Sequence, residues 1–198
     1  MSSKTIINLF SLLIIVFNSC KKANPNFPEI YVPAYLKAMV PYTDGQSVSF
    51  SNGTGQVVNA TVSITSTFVY TPVCSSCGSP YNGENISYTL NAGSNKFMEF
   101  TVKPYSYIQF TIYSPHNNYQ PAGAFNFSVE SGVSQGSCFA QGQTCLSSII
   151  LNGKTFTNVL EIAKQAPAGS PYIVKVYHTV SQGIVGFAYG NGTTFALN

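Results

Sequence analysis

The chain has 198 residues, with 14 Phe, 13 Tyr, nine lysines, six carboxylates, two histidines and neither arginine nor tryptophan. Hydrophobic residues make up 44% and charged ones only 8%, which excludes a disordered chain. A net charge of +3, with no arginine and no lysine cluster beyond the N-terminus, argues against a nucleic-acid partner.

Lys4 supplies a short positive region, and 6–17 is an apolar run broken only by Asn8 and Ser11. A membrane-spanning helix needs about 20 apolar residues, so this shorter run predicts the hydrophobic part of a signal peptide. Asn18-Ser19-Cys20-Lys21-Lys22 follows. A small residue directly before a cysteine at this point resembles the lipobox of bacterial lipoproteins, in the Ser-Cys-Lys-Lys form of Bacteroidota-type members. Phe17-Asn18 departs from the usual aliphatic and small residues. The resemblance implies a cleaved signal helix over 1–19 and acyl chains, palmitate among them, on Cys20. Two or three such chains anchor a protein stably, so the membrane is the expected partner. Lys-Lys-Ala-Asn after the cysteine, in place of an acidic cluster, implies an outer-membrane anchor with the body in the periplasm. Residues 20–40, with Pro25, Pro28 and Pro33, read as the lipidated cysteine and a flexible tether. That leaves 41–198 as a single all-β domain.

From Gln46 the pattern alternates with period two, as half-buried strands require. Val58, Ala60, Val62, Ile64, Phe68 and Tyr70 point one way, with Asn59, Thr61, Ser63, Thr65 and Thr67 opposite. Ile108, Phe110 and Ile112, then Phe125, Phe127 and Val129, then Val174 and Val176, then Val185, Phe187 and Tyr189 continue the pattern. Asn152-Gly153 and Gly190-Asn191-Gly192 predict hairpin turns, because their residues tolerate positive φ. Asn52–Gly55, Asn82-Gly83 and Ala92–Asn95 mark three more turns. About eleven antiparallel strands are expected, with 159–164 a strand rather than a helix, forming a sandwich or a wrapped half-barrel.

The run Asn152-Gly153-Lys154-x-Phe156-x-Asn158-Val159, with Gly183–Phe187, Asn191-Gly192 and the segment Pro41–Phe50, resembles small Bacteroidota-type envelope lipoproteins of unknown function. The resemblance implies an all-β envelope domain and brings no catalytic residue with it.

Four cysteines remain after Cys20: Cys74, Cys77, Cys138 and Cys145. Export to an oxidising compartment favours disulfides, with three possible pairings. Zinc is disfavoured because Cys138-x6-Cys145 is wider than a zinc knuckle. A redox role is disfavoured because Pro72-Val73 and Gly78–Pro80 flank Cys74-x-x-Cys77 where a helix should start. Gly132-Val133-Ser134-Gln135-Gly136, followed by Glu161 and His178, has the order of a hydrolase triad, but no helix-forming segment follows Ser134. His116 and His178 read as surface histidines, and Glu99 and Glu130 as residues of solvated strand faces. No enzyme, cofactor or metal is expected. The candidate ligand contacts are Tyr105, Tyr107, Tyr113 and Tyr119, whose rings would stack on a sugar or anchor a protein. The expected function is therefore binding or scaffolding of an envelope protein or glycan. The alternative is an apolar-ligand carrier with a cavity lined by Phe110, Phe125 and Phe127.

Overall fold

The computed structural model describes residues 26–72, 79–104, 107–114, 120–128, 144–163 and 169–198. In chain order these form β1 (Glu29–Ile30), the single helical turn α1 (Ala34–Ala38), β2 (Ser47–Asn52), β3 (Val57–Thr71), β4 (Tyr81–Ala92), β5 (Asn95–Lys103), β6 (Tyr107–Ser114), β7 (Gln120–Ser128), β8 (Thr144–Leu151), β9 (Lys154–Ala163), β10 (Ile173–Thr179), β11 (Gly183–Tyr189) and β12 (Thr194–Leu197). All but β1 form one antiparallel sheet, ordered β7-β6-β5-β4-β3-β2-β12-β11-β10-β9-β8, that curls into a half-barrel. Two meanders build it. β2 to β7 step outward one way, and β8 to β12 step inward from the far edge. They join where β12 runs antiparallel to β2, with Phe195 opposite Asn52 and Leu197 opposite Phe50.

The turn chemistry works as the sequence implies at four of five places. Asn152 (φ 49°) and Gly153 (φ 79°) close β8–β9 with two positive φ angles. Gly192 (φ 88°) closes β11–β12, and Gly93 (φ 63°) lies between β4 and β5. The Asn52 carboxamide oxygen accepts the N–H groups of Thr54 and Gln56 and so organises β2–β3. Asn82-Gly83 is the exception, for it is no turn. Both residues lie inside β4, where Gly83 sits opposite Val69 of β3 and Ile30 of β1. A Cβ on Gly83 would meet the Tyr81 ring at 3.0 Å and Pro104 at 3.2 Å. Glycine serves close approach here, not a positive φ.

The tether expectation also needs correction, because from Glu29 onward the segment is packed structure. β1 adds a short parallel pairing to β4, and the Pro33 carbonyl accepts the N–H groups of Leu36 and Lys37 to start α1. Val32, Leu36, Met39 and Val40 are buried in the main core with Phe50, Leu90 and Phe100. The prolines read as an extended linker, whereas burial of the four apolar side chains, with the β1 pairing and the α1 hydrogen bonds, holds the segment against the sheet.

A second, smaller core occupies the opposite sheet face and contains Leu151, Phe156, Val159, Tyr177, Val185 and Ala196. It exists because the β8–β9 hairpin folds back over β12. The Asn152 amide donates to the Ser51 carbonyl at 2.6 Å, and Lys154 Nζ donates to the Leu197 carbonyl at 2.8 Å.

One buried contact ties the end of the N-terminal segment to β11. The Tyr42 hydroxyl accepts the Ile184 N–H at 2.7 Å, and burial pushes its own pKa up. Gly183 (φ 74°) admits the ring, since a Cβ there would fall on the Tyr42 hydroxyl. Tyr42→Phe strands the Ile184 N–H and is expected to cost about 1–3 kcal/mol. The check is a lower denaturant midpoint at unchanged slope.

Candidate ligand-binding site

Because β2 and β12 are neighbours, the β2–β3 and β11–β12 turns come side by side, far apart though they are in sequence. Between them lies an open depression of about 230 Å³, lined by Gln56, Pro171, Tyr189, Asn191, Thr193 and Phe195. Its aromatic wall is held rigidly. Phe195 stacks on Phe187 with centroids 5.0 Å apart and planes 11° apart, and Tyr189 meets Phe195 edge-on at 6.0 Å. The polar groups are fixed by their turns. The Gln56 carboxamide oxygen accepts from the Asn52 amide at 2.7 Å, and that of Asn191 accepts the Thr193 N–H at 3.0 Å. These contacts engage the oxygen ends of the two carboxamides, so the roles their nitrogens can play toward a ligand are those of donors. No lining residue is charged. Such a surface suits a neutral ligand that presents both hydroxyls and apolar ring faces.

The residues singled out from the sequence fare differently. Cys20, Cys74, Cys77, Cys138, Tyr105, Tyr119, Ser134, His116 and Glu130 lie outside the described residues. Cys145 is exposed on β8. Tyr107 lies on β6, paired with Lys103 and Ser128. Tyr113 is half-buried, and its hydroxyl donates to Glu99 Oε2 at 2.5 Å. Burial, followed by that carboxylate, pushes the Tyr113 pKa up. Glu99 is correspondingly no solvated strand residue, for it also accepts from Lys96 at 3.4 Å and its side chain is only 13% exposed.

His178 is not on the surface. It is 1% exposed, under the Phe100 ring at 5.4 Å. Burial pushes its pKa down to about 3, and the Met39 backbone only partly opposes this. Glu161 does not orient it. In the β9–β10 register Glu161 stands opposite Tyr177 and His178 opposite Leu160, so the carboxylate and the imidazole occupy opposite sheet faces. Glu161 instead pairs with Lys175 at 3.2 Å. Phe110, expected to line a cavity, is fully buried against Phe100 at 4.6 Å. Its strand pairs Phe110 with Phe125 and Ile108 with Phe127.

Two features escaped the sequence. The depression draws on two turns whose adjacency only the β2–β12 pairing creates. The other is Glu84, buried on β4, whose one sequence signal is a carboxylate on the apolar phase of a strand. Compared with protein families, curated proteins and solved structures, the chain gives no match.

Proposed function

We propose that this chain is a lipid-anchored protein of the bacterial envelope that binds a neutral glycan without transforming it. The observation carrying the glycan reading is the uncharged depression walled by Tyr189 and Phe195 and edged by Gln56, Asn191 and Thr193. A flat ring beside amide and hydroxyl groups answers the two surfaces of a sugar, and the small volume matches one residue of a chain rather than a drug-sized ligand. The anchor rests on the Ser19-Cys20 lipobox resemblance and the apolar run before it. The same resemblance implies export to an oxidising compartment, where we assign Cys145 a disulfide with one of Cys74, Cys77 and Cys138. The packing of Phe110 and of the N-terminal segment into the core weighs against an apolar-ligand carrier.

Titration of the protein with neutral oligosaccharides, followed by NMR or calorimetry, tests the glycan reading. Tyr189→Leu keeps apolar bulk but removes the aromatic face, and is expected to weaken binding about tenfold, the equivalent of ~1.4 kcal/mol. Equal binding by the variant, or shifts confined to residues away from Gln56 and Asn191, would remove this site from the account.

A further inference from the structure

The β3–β4 ribbon outgrows the sheet around it. On one side β2 ends its pairing at Thr61, and on the other β5 ends its pairing at Ile86, yet β3 and β4 stay paired out to Thr71 and Tyr81. Among the described residues only β1 supports this projection by strand pairing, through Asn82 and Gly83. The projecting part is aromatic. Phe27 packs on Tyr70 with centroids 5.3 Å apart, and Tyr31 meets Phe68 edge-on at 5.2 Å. Tyr31 is 58% exposed, and its hydroxyl donates to Glu29 at 2.7 Å. Within 65–71 and 81–85 the sole carboxylate is Glu84, and it is already engaged by Val32, Ser66 and Lys37.

We infer that this aromatic projection rests in the headgroup layer of the membrane to which the chain is anchored. The inference rests on the lipoprotein reading above, and chain length gives it force. Among the described residues, packing of the N-terminal segment reaches back to Phe27, beside Tyr70, rather than starting near residue 40. A mature chain starting at Cys20 therefore has at most the stretch to Asn26 before the body, a reach of no more than about 20 Å fully extended. That span keeps the body within about 20 Å of the anchor, and the part nearest the anchor is the end carrying Phe27, Tyr31, Phe68 and Tyr70. Tyrosine, with an apolar ring and a hydrogen-bonding tip, is enriched at this depth of a bilayer. The opposite end of the same strand, at exposed Val57, lies about 35 Å from Phe68 along β3. The glycan depression, with Gln56 in the neighbouring turn, is thereby held away from the membrane.

The absence of tryptophan permits a direct test. Full-length acylated protein carrying Tyr31→Trp, and separately Val57→Trp, is reconstituted into phosphatidylcholine vesicles containing lipid spin-labelled at the headgroup. Quenching of the residue-31 probe at least twofold above that of the residue-57 probe is expected, with Phe68→Trp as a second probe on the projection. Equal quenching at both ends, or none at either, in protein whose mass shows the acyl groups would overturn this orientation and leave the lipoprotein reading standing. Protein recovered from its native membrane without acyl groups would overturn both.

Discussion

Glu84→Ala is expected to lower stability by about 3 kcal/mol and to loosen the segment 26–40 ahead of the rest of the sheet. The Glu84 carboxylate accepts the Val32 N–H at 2.8 Å and the Ser66 hydroxyl at 3.0 Å, and it pairs with Lys37 at 3.3 Å. Its side chain is 8% exposed, so water cannot replace these contacts cheaply. Burial by itself would raise the Glu84 pKa, yet the Val32 N–H, the Ser66 hydroxyl and the Lys37 ammonium outweigh it and hold the carboxyl below its ordinary value. Truncation leaves the Val32 N–H without its acceptor at the point where the segment turns into the core, a loss of the kind worth ~1.5–3 kcal/mol per charged hydrogen bond. Lys37 is 41% exposed, so Lys37→Ala should cost less than about 1 kcal/mol. Glu84→Gln keeps one carbonyl acceptor and should fall between the two. Hydrogen exchange at the Val32 amide reads the effect directly. Unchanged Val32 protection in the alanine variant would mean that Val32, Leu36, Met39 and Val40 hold the segment by apolar burial alone.

The sheet was legible in the sequence because its signals are local. Period-two alternation at Val58–Val62 and 108–112 follows from the strand pleat, and Asn152-Gly153 from the sterics of positive φ. What stayed hidden depends on partners distant in the chain. Asn82-Gly83 reads as a turn until β1 and β3 flank it. Three prolines mask the packing of Val32, Leu36, Met39 and Val40, because burial depends on a concave face that the rest of the chain must first build. The candidate site is hidden for the same reason, since Gln56 and Asn191 meet only through the β2–β12 pairing. His178 shows the converse error. A histidine in a strand whose neighbours alternate gives no sign that both faces of that strand are covered, yet Val176 belongs to one core and Tyr177 to the other.

That covered position sets the second large effect, a loss of stability in mild acid. In the folded chain His178 is neutral, with its pKa pushed down to about 3 by burial, while in the unfolded chain it returns to its ordinary value near 6.5. The unfolded state therefore binds one proton more across this interval, and stability falls as pH drops from about 6.5 toward 3. The slope is about 1.4 kcal/mol per pH unit, or roughly 3 kcal/mol lost by pH 4. Above pH 6.5 both states are neutral at this site, and it contributes no slope. Glu84 acts in a lower window. Its carboxyl is held below the ordinary 4.5, so its contribution is complete above that value and is lost only as pH falls through the depressed pKa. The two groups flank the same element, since Glu84 holds Val32 ahead of α1 while His178 lies against the Met39 backbone just after it. Acid should therefore loosen the 26–40 segment from both ends, the Met39 end first. His178→Leu, of similar bulk and without a titrating nitrogen, should flatten the stability profile between pH 6.5 and 4.5 while leaving the fall below 4.5 in place. Denaturation midpoints collected across that range decide the matter. A variant profile parallel to that of the parent chain would place the acid sensitivity at another group and would mean that His178 is reached by water before the fold opens.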